Sequence, residues 1–245
     1  CSRLQLYPKM HNVPVFFISS VDDLDAIIHF FRVGASDYLK KPFIVEELRA
    51  RVVTHLRNRK YLSELQELNR RLHRQATMDE LTGIRNRRSF QQNLRELFRD
   101  AERSGGELCC LLLDLDQFKQ VNDTYGHAFG DFVLREFAEI LREHAEQHEV
   151  VARYGGEEFV LVLPEVPLAD ALRRAEKIRA AVEDHVYRQG ETELRGTCSI
   201  GVASRIDHHP GSGELLTSMA DSGLYRAKRT GRNRVMVYRS GSDQL

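Results

Sequence analysis

An apolar run of strand length that ends in acidic side chains constrains the fold of this chain more than any other segment. Residues 108–113 read Leu-Cys-Cys-Leu-Leu-Leu, as expected for a strand that is covered on both faces. Asp114 and Asp116 follow, and the alternation of side chains along a strand would turn both carboxylates to the same side. Buried carboxylates are costly unless they bind something. An isolated Asp-x-Asp is more often the start of a loop, but the polar segment 122–131 that follows favours a functional acidic site here.

A second acidic element follows a pair of glycines. Residues 153–159 read Arg-Tyr-Gly-Gly-Glu-Glu-Phe and lie between two strand-like runs, 150–153 and 159–163. Glycine accepts positive φ without steric cost, which favours a hairpin whose tip lets a bulky ligand such as a triphosphate approach the backbone. Glu157 and Glu158 would then offer hard oxygen ligands for Mg²⁺, or a base for a hydroxyl proton. A solvated hairpin is the alternative for this segment taken alone.

Helical and strand-like patterns alternate over most of the chain. Helical periodicity is found at 88–103, 131–143, 168–187 and 214–229. Further strand-like runs are found at 194–203 and 234–238. Residues 122–131, rich in amide, carboxylate and imidazole groups, are predicted to form a glycine-punctuated turn that leads into a helix. This alternation predicts an α/β layer structure.

Four blocks of the sequence resemble the GGDEF family of diguanylate cyclases, here in a Gly-Gly-Glu-Glu-Phe form. The blocks are 79–88, 114–131, 153–159 and 227–233, and the predicted domain covers residues 79–240. The resemblance implies an α+β fold like the palm of nucleic-acid polymerases and nucleotidyl cyclases, with a central antiparallel sheet flanked by helices. It also implies the condensation of two GTP molecules into cyclic di-GMP, with each 3′-hydroxyl attacking the α-phosphate of the other nucleotide.

The resemblance assigns the metal and the chemistry to five residues. It implies that Asp114, Glu157 and the backbone carbonyl of Leu115 bind Mg²⁺, or alternatively Mn²⁺. Glu157 or its neighbour Glu158 would accept the hydroxyl proton. Lys119 would stabilise charge on the phosphates in the transition state, and an ordinary solvated lysine is the alternative.

Five further residues would bind the nucleotide. Asn122 and Asp131 resemble the residues that read guanine, through hydrogen bonds that adenine cannot match. His127 lies in the same segment as a nucleotide contact or a structural hydrogen bonder. Lys228 and Arg232 would contact the β- and γ-phosphates, although cations near a helix C-terminus are common without that role.

The sequence departs from the family pattern at one regulatory position. Many such cyclases carry an Arg-x-x-Asp motif that binds the product, and the corresponding residues here are Glu146 and Glu149. Glutamate would repel the anionic product, so we expect no feedback inhibition through this site. Asp79 and Thr82, at the start of the domain, are predicted to hold its first turn by hydrogen bonds.

Residues 1–43 resemble the C-terminal half of a response-regulator receiver domain, which has a flavodoxin-like fold. Residues 13–20 read as a buried strand, and residues 34–43 match the last strand and its Lys-Pro turn. The resemblance implies that Ser19 and Lys41 are the switch residues and that the peptide bond before Pro42 is cis. It also implies that a cognate sensor histidine kinase acts on the full-length receiver. The phospho-acceptor belongs to the earlier half, so we expect that this chain is a fragment.

Residues 44–78 predict a linker helix that is charged and free of glycine and proline up to Gln75. Leu62, Leu65 and Leu72 follow a/d spacing over about two heptads, fewer than a secure coiled coil needs. A single amphipathic helix packed on its own domain is the alternative. We favour dimer contact, because the implied reaction needs two half-sites that face each other, so the chain would act as a homodimer.

Composition excludes some classes of protein. The 36 Lys and Arg residues balance 36 Asp and Glu residues, which argues against an extended nucleic-acid surface. No apolar run reaches membrane-spanning length, and no signal peptide is visible. The four cysteines, Cys1, Cys109, Cys110 and Cys198, include no Cys-x-x-Cys pair, which fits buried thiols in a reducing cytoplasm. A catalytically silent module that binds GTP or a partner, and a cyclase with altered purine choice, are the alternative functions.

Overall fold

The computed structural model describes residues 13–20 and 22–239, and the chain divides into two compact units, Cys1–Leu72 and His73–Leu245. The first unit contains strand β1 (Phe16–Ser19), helix α1 (Leu24–Arg32) and strand β2 (Asp37–Lys40). The two strands pair in parallel, so the helix between them forms a βαβ crossover. The peptide bond between Lys41 and Pro42 is cis, as predicted. Cys1 lies outside the described residues.

A long helix, α2 (Val45–Thr77), follows this crossover and has no buried residue along its length. Near its start, Arg51 donates from Nη1 to both carboxylate oxygens of Asp37, at 3.0 and 3.2 Å. The a/d leucines Leu62 and Leu65 are more than half exposed. No helix within residues 13–20 and 22–239 is both long and apolar enough to cross a membrane.

The second unit is built around a five-stranded sheet. Its elements after α2 are α3 (Arg87–Ser104), β3 (Leu108–Leu115), α4 (Phe118–Tyr125), α5 (His127–Glu143), β4 (Val150–Gly155), β5 (Glu158–Pro164), α6 (Leu168–Asp184), β6 (Val186–Gln189), β7 (Thr192–Arg195), β8 (Cys198–Ser204), α7 (Arg205–His208), α8 (Gly213–Arg229) and β9 (Val235–Val237). The strand order is β4-β5-β3-β8-β9, and every pairing is antiparallel except the parallel pair of β8 and β9. Strands β6 and β7 form a separate hairpin.

Strand β3 lies in the middle of this sheet and is buried at all eight positions. Leu111 and Leu113 belong to a core cluster that also includes residues of α5 and α6. Leu112 belongs to a second cluster that includes residues of α3 and α8. The prediction of a strand covered on both faces is confirmed, and burial raises the pKa of the Cys110 thiol to about 12.

Two predicted elements have different limits in the structure. The helix predicted over 168–187 ends at Asp184, and Val186–Gln189 form a strand because a hairpin follows at Gly190, which has a φ of 63°. The strand predicted over 194–203 is divided at Gly196 into the end of β7 and the whole of β8.

The segment 122–131 is helical rather than a turn. It contains the end of α4 and the start of α5, which are separated only by Gly126 at a φ of 81°. The segment has too few apolar side chains to show a helical period in the sequence.

Helix α8 packs on β8 with unusually close backbones. A Cβ added at Gly201 would lie 2.0 Å from the carbonyl oxygen of Ala220 and 2.2 Å from the amide nitrogen of Leu224. Only glycine permits this approach, which sets how closely the middle of α8 lies on β8.

Candidate active site

The predicted metal ligand Asp114 lies near the end of β3, with its side chain 5% exposed. Its Oδ2 atom is 2.6 Å from Nζ of Lys228, in the last turn of α8. Burial raises the pKa of Asp114 to about 6, the hydrogen bond and charge of Lys228 lower it, and the charges of Glu157 and Glu158 raise it. Asp114 lies opposite Glu158 in the pairing of β3 with β5, so the structure brings Asp114, the Glu157–Glu158 bend and the Lys228 ammonium group to one edge of the sheet.

The Gly-Gly hairpin is tied to β3 and to the first turn of the domain. The amide of Leu115 donates to the carbonyl oxygen of Glu157 at 3.4 Å, which joins the hairpin to the end of β3. Arg153 donates from Nε to the carbonyl oxygen of Gly156 at 2.9 Å and pairs through Nη1 with Asp79 Oδ1 at 3.2 Å. Arg153 thus holds the tip of the hairpin from outside the acidic cluster.

The first turn of the domain is stabilised as predicted. Asp79 Oδ1 accepts hydrogen bonds from the amide of Thr82 at 2.9 Å and from its hydroxyl at 2.7 Å. Burial alone would raise the pKa of Asp79, but the hydrogen bonds from Thr82 and the charge and hydrogen bond of Arg153 hold it below its usual value. Sequence reasoning missed Arg153, whose position two residues before the first hairpin glycine is a signal that could have found it.

Asp116 has a structural role instead of sharing the site with Asp114. Its carboxylate accepts hydrogen bonds from the hydroxyls of Thr197 and Ser199, each at 2.7 Å, and from the amide of Asn233 at 3.0 Å. Ser199 is the cross-strand partner of Asp114, so the Asp116 carboxylate lies on the side of the sheet that strand alternation predicts, but its hydrogen bonds tie it to β8 and to the turn after α8.

The predicted guanine-reading residues are placed by α4 and α5. The Oδ1 atom of Asn122, on α4, lies 1.9 Å from the position that a Cβ on Gly130 would occupy. The Asn122 amide therefore packs against α5 immediately before Asp131, which is half-buried. His127 is the first residue of α5 and Lys119 the second of α4, and both are exposed. Sequence reasoning missed Gly130, whose missing side chain leaves room for the Asn122 amide.

Arg232 lies just beyond α8, in a left-handed turn with a φ of 60°. Its amide donates to the carbonyl oxygen of Ala227 at 2.9 Å, and its own carbonyl oxygen accepts from Nε of Arg234 at 2.8 Å. Its side chain is exposed. The predicted switch residues are also close in the first unit, where the amide of Lys41 donates to the carbonyl oxygen of Ser19 at 2.8 Å.

The positions that correspond to the product-binding motif are closed by an ion pair within the protein. Arg174 Nη1 lies 2.8 Å from Glu149 Oε1, and Nη2 lies 2.9 Å from Glu146 Oε1. The side chain of Glu149 is fully buried. Ligand atoms of these two glutamates and of His148 lie within 4.8 Å of one another, but Arg174 already supplies their positive partner.

Comparison with known proteins agrees with this architecture. The family described as diguanylate cyclase, GGDEF domain, matches residues 76–234. The response regulator PleD of Caulobacter vibrioides is 38% identical over 237 residues, which are 96% of this chain and 52% of PleD. The diguanylate cyclase DgcP of Pseudomonas aeruginosa is 39% identical over 162 residues, 66% of this chain and 24% of DgcP. The chain thus spans about half the length of PleD and less of DgcP.

A solved structure shares the fold at similar identity. The coiled coil and GGDEF domain of DgcB from Caulobacter crescentus, in complex with c-di-GMP, has 34% identity and a TM-score of 0.70, over 78% of this chain and 98% of that one. The family match covers more than half of the chain and agrees with a palm-like sheet flanked by helices. This chain therefore belongs to the GGDEF diguanylate cyclase family.

Proposed function

We propose that this chain condenses two GTP molecules into cyclic di-GMP and two pyrophosphates. The observation that carries the proposal is the cluster of Asp114, Glu157 and Glu158 where β3 meets the hairpin, with a lysine ammonium held against it. Phosphoryl transfer depends mainly on positioning the reactants and on neutralising charge. This cluster can hold a metal ion that neutralises charge.

The donor set fits a divalent cation. Asp114 and Glu157 offer the carboxylate oxygens that Mg²⁺ prefers, with the backbone carbonyl of Leu115 as a third ligand, and Lys228 shows that a cation is accommodated at Asp114. When bound, Mg²⁺ or Mn²⁺ would neutralise phosphate oxygens and lower the pKa of the 3′-hydroxyl. Glu157 or Glu158 accepts the hydroxyl proton.

The nucleotide is bound by residues on three helices and the turn that follows α8. Asn122 and Asp131 hydrogen-bond the guanine edge, with His127 as a further contact. Lys119 stabilises charge on the phosphates in the transition state, and Lys228 and Arg232 contact the β- and γ-phosphates. Buried polar groups left unpaired by adenine would give the preference for GTP. The packing of Asn122 against α5, directly before Asp131, supports this assignment.

Gly130→Ala should weaken GTP binding without unfolding the domain. A Cβ at this position would meet Asn122 Oδ1 at 1.9 Å, so the Asn122 side chain must turn away from its place beside Asp131. Alanine itself is favoured in a helix over glycine by about 1 kcal/mol, so the helix should not suffer. We expect the KM for GTP to rise about tenfold or more, because a hydrogen bond to the base is lost. Steady-state kinetics would measure it.

Gly211→Ala is the matched control for that variant. A Cβ there has its nearest neighbour 3.7 Å away, in the Leu215 side chain, which is an ordinary contact. A Gly130→Ala protein with the KM of the parent chain would exclude Asn122 as a guanine contact.

Cyclic di-GMP should not inhibit this protein through the positions of the product-binding motif. Glu146 and Glu149 are both paired with Arg174, so they offer the product negative charge and no free cation. We expect initial rates with GTP to be unchanged by added product at low micromolar concentration. Inhibition that disappears in Glu146→Ala would contradict this prediction.

The linker helix α2 supports a homodimer. Leu65→Glu should convert a dimer of the full chain into a monomer, because it places a charge in the a/d seam of exposed leucines. Sedimentation velocity would detect the change. Leu56→Glu is the control, since Leu56 lies on the same helix with its side chain half-exposed but outside the a/d positions. Unchanged sedimentation of Leu65→Glu would rule out this seam.

The first unit supports a regulatory role upstream of the cyclase. We propose that it is part of a receiver domain in a two-component response regulator, with Ser19 and Lys41 as switch residues and a sensor histidine kinase as its partner. The parallel βαβ crossover and the backbone contact between Ser19 and Lys41 support this proposal, as does the similarity to PleD over 96% of the chain. The proposed use of GTP as substrate and the buried free thiols are consistent with a cytoplasmic site of action.

Chromatographic analysis of the products formed from GTP and Mg²⁺ tests the proposed activity. Cyclic di-GMP and pyrophosphate are the expected products, and ATP in place of GTP should give little turnover. Binding of GTP without any product would instead identify a silent signalling module. Turnover that favours ATP would overturn the assignment of Asn122 and Asp131.

A further inference from the structure

The contact between Lys228 and Asp114 places an ammonium group at the carboxylate to which the proposed function assigns a divalent metal ion. Lys228 Nζ lies 2.6 Å from Asp114 Oδ2, a short charge-assisted hydrogen bond to a carboxylate that is only 5% exposed. The same carboxylate is one of the ligands that the proposed function gives to the divalent ion. An ammonium group on Oδ2 competes with a metal ion for this carboxylate, because the two positive charges repel.

Lys228 is also able to leave this position. Its side chain is 35% exposed and extends from the last turn of α8, so its four-carbon stem can rotate without disturbing the core. Its backbone position is fixed by the close packing of α8 on β8 at Gly201. The ammonium group can therefore exchange one anionic partner for another while the helix stays in place.

We propose that Lys228 acts as an internal counterion that occupies the acidic site until a nucleoside triphosphate binds. The inference rests on the proposed role of Asp114 as a metal ligand. In the nucleotide-free protein, Lys228 neutralises the carboxylates and competes with free divalent ions. A bound triphosphate offers Lys228 a stronger anionic partner, which releases Asp114 for the metal. Metal and nucleotide then bind with positive coupling, so each strengthens the binding of the other.

This proposal differs from a role in phosphate binding alone. A lysine that only contacts phosphates would leave the affinity of the nucleotide-free protein for metal unchanged when it is removed. A competing counterion has the opposite signature, since its removal strengthens metal binding in the absence of nucleotide and weakens the coupling to nucleotide.

The test is a titration of the nucleotide-free full chain with Mn²⁺, followed by electron paramagnetic resonance. We expect Lys228→Met to bind Mn²⁺ about tenfold more tightly than the parent chain, within the usual range of coupling between sites. Arg229→Met is the matched control, because it removes the same charge from the next residue, which stacks on Tyr225, and it should bind Mn²⁺ as the parent does. Lys228→Gln repeats the test with a polar side chain, and circular dichroism confirms folding.

A second arm separates this inference from the proposed function. With a non-hydrolysable GTP analogue present, Mn²⁺ affinity should increase in both proteins, because the phosphate oxygens add ligands, but by a smaller factor in Lys228→Met than in the parent chain. Lys228→Met and Lys228→Gln with unchanged or weaker Mn²⁺ binding would overturn the counterion role. If Asp114→Asn leaves Mn²⁺ binding unchanged both with and without the analogue, the metal assignment itself fails.

Discussion

Asp114→Asn should lower cyclic di-GMP formation by roughly three orders of magnitude, the upper end of what one preorganised electrostatic contact contributes. The amide has nearly the shape of the carboxylate but no charge, so it holds a divalent ion far more weakly and forms no ion pair with Lys228. Because burial already disfavours the ionised form of Asp114, raising its pKa to about 6, the neutral amide removes a desolvation cost. The variant should therefore fold normally while it loses activity. Pyrophosphate release from GTP measures the rate.

Asp221→Asn is the control for that substitution, because it removes a carboxylate from an exposed position on α8. It should retain the parent rate. A thermal melt of both variants separates catalytic loss from unfolding. Turnover of Asp114→Asn within tenfold of the parent would show that this carboxylate is not a metal ligand.

Gly201→Ala should destabilise the domain by about 3 kcal/mol or more, at the upper end of overpacking effects. The added Cβ would lie 2.0 Å from the carbonyl oxygen of Ala220 and 2.2 Å from the amide nitrogen of Leu224, and both neighbours are backbone atoms. No side-chain rotation relieves such a contact, so α8 must move away from β8. Lys228 moves with it, and we expect activity to fall together with stability. Urea denaturation measures the free energy of unfolding.

Gly211→Ala controls for the general effect of the substitution. Alanine commonly stabilises a protein by restricting its unfolded chain when space allows, and Gly211 has that space. Its free energy of unfolding should equal or exceed that of the parent. A Gly201→Ala protein as stable as Gly211→Ala would contradict the close packing of α8 on β8.

The parts of the fold that the sequence predicted are those with a local signal. The apolar run before Asp114 showed a doubly covered strand, because burial on both faces needs no alternation. The two glycines predicted the position of the hairpin tip, because a positive φ favours glycine. Gly156 has a φ of 50° in the structure. The first residues of β6 were predicted as part of a helix, and the end of β7 was merged with β8 into one strand. Both errors arise because short elements carry too few residues to display a period.

The parts of the site that the sequence did not predict depend on contacts between distant segments. The pairing of Lys228 with Asp114 joins α8 to β3, and the clamp of Arg153 on Asp79 joins the hairpin to the first turn. The same is true of Gly201, whose neighbours lie on α8. No periodicity or spacing rule connects such positions, because they meet only after the sheet has formed.

A double-mutant cycle on Mn²⁺ binding, in the presence of a non-hydrolysable GTP analogue, shows whether Asp114 and Glu157 hold one metal ion. We predict that Asp114→Asn and Glu157→Gln each weaken Mn²⁺ binding by about tenfold or more. The double variant should be weaker by less than the product of the two effects, as expected for two ligands of one ion. If either single variant binds Mn²⁺ as tightly as the parent chain, the two carboxylates do not hold a common metal and the proposed mechanism is wrong.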